Sequence, residues 1–505
     1  MKMVNEILES TSRKAPHKPA LIFDNTTITY KEVETTANRC AHGLISKGIK
    51  QGDMAGILIP NSPEFIYAYF GIIKAGATVV PMNPTLSENE LHYMIKDANI
   101  KAVFTVGPLL PLIQKIASQL KNLKIIIVTG RQEANSEIDF TALLNDKSSV
   151  PPQIRVENNE PAVCIYTSGT TGNSKGALLT HKNLLSNINS ILKILPTENG
   201  DVFSCFLPLF HAYAAMVSLL TPLTAGACIS VSSNFSPRKC LQTIEADRIS
   251  IFIGVPAMFA VLTHIKNPSG YNLNSLRFCV AGGAPMSPPA INKFEEIYSV
   301  KIYEGDGPTE CSPVTSVNPI GGKRKIGSIG LPIPDVEMQI IDEAGNKLPP
   351  EAVGEIVVRG PNVMKGYLNQ LEATKESITN GWFHTGDIGK VDEEGYFYIL
   401  DRKKDMIIVG GLNVYAQEVE KVLLSHHHVS EAAVIGKPDR LRGEVPIAFV
   451  IPAEEEKIDS TALITFCREH LASYKVPRQI ETAESFPKTA TGKVMKWKLK
   501  DQAAR

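Results

Sequence analysis

The segment Tyr166-Thr-Ser-Gly-Thr-Thr-Gly-Asn-Ser-Lys-Gly176 concentrates the residue types that can wrap a polyphosphate. Gly169 and Gly172 let the backbone approach a ligand closely. The hydroxyls of Thr167, Ser168, Thr170 and Thr171 donate hydrogen bonds together with exposed N–H groups, and Lys175 supplies positive charge. The same residue types build ordinary surface turns. What favours phosphate is the order Gly169, Gly172, Lys175, Gly176 directly after the apolar stretch 162–165, which reads as a buried strand. A Walker A loop needs Ser or Thr after its lysine, and Gly176 stands there instead, so this is a phosphate loop of another kind.

The elements that must position this loop read as α/β layers up to about residue 400. A strand is expected over 177–179, then Thr180 as a helix cap, with Leu184, Ile188, Ile191 and Leu195 at helical spacing behind it. Ser236-Pro237 opens another helix. Buried strands are expected over 249–255 and 276–280, running into the turns Gly254-Val-Pro256 and Gly282-Gly-Ala-Pro285, at the kind of sheet edge where α/β proteins bind ligands. From Val336 the pattern turns β-rich, with strands over 336–341, 355–359 and 396–400 and hairpin turns at Glu343-Ala-Gly345 and Glu393-Glu-Gly395. The cluster Asp401-Arg-Lys-Lys-Asp405 is too charged for a core element and marks a domain boundary. Beyond it, helices over 418–424 and 461–471 and strands over 432–435 and 447–451 make a complete small domain. The expected architecture is α/β: an N-terminal domain, 1–401, of layered α/β subdomains plus a β-rich subdomain, and a smaller α+β C-terminal domain, 402–505.

A chain of 505 residues is too long for one core, and 43% hydrophobic with 21% charged residues is ordinary globular composition. Lys+Arg and Asp+Glu both number 52, so no global charge argues for nucleic acid or an anionic membrane. The eight scattered cysteines form no Cys-x-x-Cys, which speaks against a disulfide framework or zinc site and for a reducing compartment. The start carries acidic residues and no sustained apolar core, and no window approaches the roughly 18 to 20 apolar residues of a membrane span. A cytoplasmic protein is expected.

With the loop and boundary placed, the chain resembles the adenylate-forming superfamily of acyl-CoA synthetases, luciferases and peptide-synthetase adenylation domains. Within it, the chain is most similar to bacterial fatty-acyl-CoA ligases and coumarate-CoA ligases. The resemblance covers essentially the whole length. It implies a reaction in two steps: a carboxylate attacks the α-phosphorus of ATP to give an acyl-adenylate and pyrophosphate, and the CoA thiol then displaces AMP. The loop Tyr166–Gly176 resembles the family loop around the β- and γ-phosphates, with Ser174 where proline is common. Gly305-Asp-Gly-Pro-Thr-Glu310 resembles the Thr-Glu motif, implying that Thr309 bonds the α-phosphate and that Glu310, with Thr167, ligates Mg²⁺. Asp306 replaces the aromatic residue common between these glycines. Gly282, Gly283 and Ala284 resemble the turn that lines adenine and the acyl pocket. Asp387, in His384-Thr-Gly-Asp-Ile-Gly389, is implied to accept from the ribose hydroxyls, as an acceptor-only carboxylate can. Arg402 is implied to reach ribose or phosphate, and Lys404 falls at the hinge position. Gly410-Gly411 resembles the pair beside the pantetheine arm. Lys493, in Pro487-Lys-Thr-Ala-Thr-Gly-Lys493, resembles the lysine that bridges carboxylate and α-phosphate, while Lys488, Lys496, Lys498 and Lys500 read as an ordinary basic tail. The C-terminal domain is then expected to swing about Lys404 between the half-reactions.

His211, in Leu207-Pro-Leu-Phe-His-Ala-Tyr213, falls at a family position near the carboxylate and is taken as an orienting or gating residue. His426-His-His428 follows a helix end, and consecutive side chains do not converge on one ion, so a metal site there is rejected. Tyr213, Val255, Met258 and Gly282 are the pocket candidates; none is charged, which favours an apolar acid, a fatty acid first and an aryl acid still open. The expected partners are that acid, ATP and CoA. Peripheral membrane contact stays compatible with the pattern, and oligomeric state is not legible in it. Two other readings remain: transfer to a carrier-protein thiol, and a non-catalytic acyl or nucleotide binder.

Overall fold

The computed structural model describes residues 1–130, 137–167, 174–453, 458–489, 492 and 494–503. They form two compact units. The first comprises Met1–Ile326, Gly330–Glu337 and Val358–Phe383; the second comprises Gly327–Ile329, Met338–Val357 and His384–Arg505. The second unit thus groups β-rich segments before residue 401 with the C-terminal hundred residues, whereas the charge pattern places the boundary at 401/402.

In the first unit, two largely parallel sheets carry the site. The nine-stranded sheet has at its centre the parallel strands Val202–Cys205, Ile251–Gly254, Phe278–Ala281 and Ile302–Asp306. Ile251–Gly254 and Phe278–Ala281 are buried along their whole length, as parallel strands covered on both faces must be. Both are shorter than the apolar runs suggest, because Val255 caps the helix Pro256–Leu262 and ends the first of them. The eight-stranded sheet contains the antiparallel hairpin Pro161–Thr167 and Lys175–Thr180, next to the parallel strand Thr78–Pro81. Thr180 caps the helix His181–Ile194 through a reciprocal box: its hydroxyl accepts from Asn183 N (3.1 Å) and its N–H donates to Asn183 Oδ1 (2.9 Å). Ser236 precedes the helix Pro237–Ala246 as expected, but its side chain makes no capping bond.

One buried cation holds the N-terminal helices together. Lys74 Nζ lies 3.0 Å from both Glu9 and Glu34, and its side chain is 1% exposed. Burial pushes the Glu34 carboxyl up while Lys74 pulls it back. Lys74→Ala would leave Glu34 buried without its cation, and a loss of about 3 kcal/mol is expected in urea unfolding.

The second unit is mainly antiparallel. Glu337–Ile341, Gly354–Arg359, Trp382–Val391 and Phe397–Arg402 form one sheet, most of whose residues lie in this unit. The long hairpin Val429–Asp439 and Gly443–Pro452 dominates the other. It far outruns the expected strands, because Gly436, Pro438 and Pro446 interrupt the sequence pattern without interrupting the pairing. Helices Ala416–Leu424 and Ser460–His470 bury Val419, Leu423, Leu463 and Cys467 against it.

Two charges expected at the surface are not there. Asp401 lies inside the strand Phe397–Arg402 and is 1% exposed. Its carboxylate accepts from the N–H groups of Arg402 (2.8 Å) and Ala416, so it satisfies the first turn of the helix Ala416–Leu424. Lys496 is no tail residue: its ammonium sits 2.7 Å from Glu420, both side chains 14% exposed. Burial pushes Asp401 up to about 6, against the pull of Lys496.

All eight cysteines are free and buried. Burial pushes the Cys205 thiol up to about 12, which makes it an inert apolar group. No helix of the described residues is long and apolar enough to cross a membrane.

Candidate active site

The hairpin Pro161–Thr167 and Lys175–Thr180 brings Thr167 opposite Lys175 across the loop mouth. Ser168, Gly169, Thr170, Thr171 and Gly172 lie outside the described residues. Thr167 Oγ1 is 3.4 Å from Lys175 O and 3.5 Å from Glu310 Oε1. The turn Thr309–Cys311, following the strand Ile302–Asp306, therefore delivers the expected carboxylate to the loop mouth. Thr167, Lys175 and Glu310 come together across 143 residues of sequence separation.

The glycines around Glu310 have a steric reason. A Cβ on Gly307 would fall 1.8 Å from Pro313 O, so only glycine lets the chain double back here. Asp306, in the place where an aromatic is common, ends its strand with its carbonyl accepting from Thr315 N (2.9 Å) and Thr315 Oγ1 (3.1 Å).

Gly282, Gly283 and Ala284 follow the strand Phe278–Ala281 at the sheet's carboxyl edge. A Cβ on Gly282 would meet the Tyr213 ring at 3.1 Å, and Tyr213 Oη donates to Val280 O at 3.3 Å. Tyr213 thus stands directly over the glycine turn. Val255 and Met258 are buried beside the same sheet edge, at 5% and 6% exposure.

His211 caps a short helix by accepting Tyr213 N–H at Nδ1 (3.3 Å), which requires its proton on Nε2. Burial lowers it to about 4, so near neutrality it is an uncharged Nε2–H donor and not a base at that nitrogen. His181, 3% exposed and accepting Val4 N–H at Nδ1, is lowered by burial to about 4 as well. The folded state therefore disfavours the charged form of both. Their contribution to stability is complete above the ordinary value of 6.5 and is lost as pH falls from there toward 4. His181→Gln should shallow the acid limb of a stability-against-pH curve by up to about 3 kcal/mol, read by urea unfolding at pH 7 and pH 4.5.

In the second unit, Asp387 and Arg402 face each other on paired strands, Arg402 Nε 2.7 Å from Asp387 Oδ1. Arg402 Nη1 also donates to Thr385 O (3.2 Å), and Asp387 N–H donates to Thr385 Oγ1 (3.0 Å). The two groups assigned to the ribose thus orient each other. Lys404 is exposed just past the end of that strand. Gly410 and Gly411 form the two-residue turn between Ile407–Val409 and Leu412–Val414, at φ +58° and +84°. An added Cβ at either would meet nothing within 4 Å, so in this arrangement left-handed backbone, not close approach, calls for glycine. Lys493 lies outside the described residues. The His426 and His427 rings stack and His428 meets both edge-on, and among the described residues no group of three His, Cys, Asp or Glu side chains could hold a metal.

Tyr367 escaped the sequence analysis. It lies on a two-residue strand, Gly366–Tyr367, too short for any periodicity to register. Its hydroxyl donates to Glu310 Oε1 (2.8 Å), and the Lys175 ammonium lies 5.2 Å from its ring centroid.

The pattern of the AMP-binding enzymes matches residues 8–368, and that of the AMP-binding enzyme C-terminal domain matches residues 418–493. A long-chain-fatty-acid–CoA ligase of Bacillus subtilis (strain 168) is 35% identical, over 99% of this chain and 94% of its own. A feruloyl-CoA synthase of Amycolatopsis sp. is 34% identical, over 97% and 96%. Among solved structures, an anthranilate CoA ligase in complex with anthranoyl-AMP superposes with a TM-score of 0.93 at 29% identity, covering 99% of this chain and 97% of that one. The mixed α/β fold, the loop hairpin and the matches along nearly the full length agree, and the chain belongs to the AMP-binding, adenylate-forming enzymes as an acyl-CoA ligase of that family.

Proposed function

We propose that this enzyme activates an apolar carboxylic acid, a fatty acid first, with ATP and passes the acyl group to the CoA thiol, releasing pyrophosphate and AMP. The observation that carries the reading is the convergence of Thr167, Lys175 and Glu310 at the mouth of the Gly-rich hairpin. A hydroxyl, an ammonium and a carboxylate there suit a metal-bound polyphosphate. The donor set of Glu310 and Thr167 is all oxygen, as Mg²⁺ prefers, and the ion when bound would offset phosphate charge.

The chain's own groups divide the work. Lys175 and the loop hydroxyls and N–H groups of Thr167, Ser168, Gly169, Thr170, Thr171 and Gly172 hold the β- and γ-phosphates. Thr309 bonds the α-phosphate. Asp387, oriented by Arg402, accepts from the ribose hydroxyls, and Gly282, Gly283, Ala284 and Asp306 border the base. His211, neutral and donating from Nε2, orients the acid's carboxylate, and Lys493 has the role of bridging that carboxylate and the α-phosphate as negative charge gathers. The C-terminal domain, 402–505, swings about Lys404 and then presents Gly410 and Gly411 to the pantetheine arm for thiol transfer.

The absence of charge at the pocket candidates Tyr213, Val255, Met258 and Gly282 supports an apolar acid. The curated relatives include both a fatty-acid and a feruloyl enzyme. An AMP-release assay over straight-chain and aromatic acids tests the choice. Higher kcat/KM for straight-chain acids is expected, and preference for a cinnamate-type acid would replace the fatty-acid reading with an aryl one. AMP release that needs a carrier-protein thiol instead of CoA would overturn the acceptor.

A further inference from the structure

We propose that Tyr367 is the positioning residue of the metal-binding carboxylate, fixing Glu310 through its phenol while its ring carries Lys175. The proposal rests on the reading of Glu310 and Lys175 given above and extends it to a residue outside the phosphate loop and outside the Thr-Glu motif.

Glu310 is held twice by one segment. Its carbonyl accepts from Met364 N–H (2.7 Å), and its Oε1 accepts from Tyr367 Oη (2.8 Å). That segment is itself anchored. Asn183 Nδ2 donates to Pro361 O and Val363 O (2.8 Å each), and Asn362 Nδ2 donates to Cys311 O (2.8 Å) beside Glu310. Lys365 N–H and Leu368 N–H bond Leu178 O and Gly176 O (2.9 and 2.7 Å), and Tyr367 pairs with Ala177. Tyr367 N–H is taken by Thr374 Oγ1 (2.9 Å). The tyrosine is therefore fixed to the phosphate hairpin on one side and to the Thr309–Cys311 turn on the other.

The chemistry fits positioning. A phenol, whose ordinary pKa is about 10, is a proton donor near neutral pH, and an ionised carboxylate can only accept. Both described donors to the Glu310 side chain, Tyr367 Oη and Thr167 Oγ1, meet Oε1. Oε2 takes no hydrogen bond among the described residues, which leaves that oxygen for a divalent cation. A carboxylate fixed at one oxygen loses less freedom on binding a metal than one that must be ordered first. The Lys175 ammonium over the same ring places the second charge of the pocket by the same side chain.

The test is direct binding of Mn²⁺, as a probe for Mg²⁺, to the full chain in the presence of a non-cleavable α,β-methylene ATP, followed by electron paramagnetic resonance, beside metal-free binding of the same analogue. Tyr367→Phe keeps the ring and removes the hydroxyl. Metal affinity should fall about tenfold while metal-free nucleotide binding is unchanged, with the melting temperature as a check on folding. Tyr367→Leu removes both functions and should weaken metal-free binding as well. Wild-type metal affinity in Tyr367→Phe would overturn the proposal while leaving the ligase reading intact. Absence of metal-dependent nucleotide binding in the wild type would overturn that reading, and this inference with it.

Discussion

Lys493→Ala is expected to lower acyl-adenylate formation by about 100- to 1,000-fold and to leave thioester formation from supplied acyl-AMP within a few-fold of wild type. In the first step two anions meet, a carboxylate and an α-phosphate, and charge accumulates between them. A lone ammonium aimed at that point acts far more strongly in the transition state than in the ground state. In the second step the leaving group is AMP and the nucleophile is a thiol, so no carboxylate meets a phosphate and the same ammonium has far less charge to offset. Pyrophosphate exchange reads the first step; CoA-dependent consumption of synthetic acyl-AMP reads the second. Equal loss in both would mean that Lys493 supports the domain and not the chemistry. Its neighbours make the contrast sharper: Lys496, three residues on, is committed to Glu420 and cannot take its place.

Glu310→Gln should be nearly as damaging, with about a 100-fold loss of AMP release at limiting Mg²⁺ and partial recovery as Mg²⁺ is raised. The amide keeps an oxygen to accept from Tyr367 Oη and Thr167 Oγ1, so folding should be intact and the melting temperature little changed. What is lost is the formal charge facing the cation. A variant that lost activity without any change in Mg²⁺ dependence would remove Glu310 from the metal site and leave it a structural partner of Tyr367.

How much of this was legible before the structure depends on the range of the signal. The strand before the glycine loop and the return strand around Lys175 were readable, because apolar runs are local. So were the Thr180 cap and the turns at Gly345 and Gly395, the latter two with positive φ of 85° and 86°. The meeting of Thr167 with Glu310 had no local trace; only the resemblance to a family suggested it. Tyr367 had neither a motif nor a periodicity to mark it. Asp401 and Lys496 were misjudged as surface charge because a charged residue in sequence gives no sign of the partner that lets it be buried, here the Ala416 N–H for the one and Glu420 for the other. The Val429–Asp439 hairpin strand was underestimated for a different reason: proline and glycine are read as breakers, yet here Gly436 pairs with Pro446 in unbroken register and Pro438 lies on an edge strand, where a missing N–H is tolerated.

The most direct measurement is a single-turnover experiment with enzyme in excess over ATP labelled in both adenine and γ-phosphate, mixed with Mg²⁺ and a fatty acid and without CoA. Pyrophosphate and an enzyme-bound acyl-adenylate should form first and persist; adding CoA should then discharge the adenylate to AMP and acyl-CoA within one turnover. Formation of ADP and inorganic phosphate, or an adenylate that CoA fails to discharge, would contradict the two-step ligase.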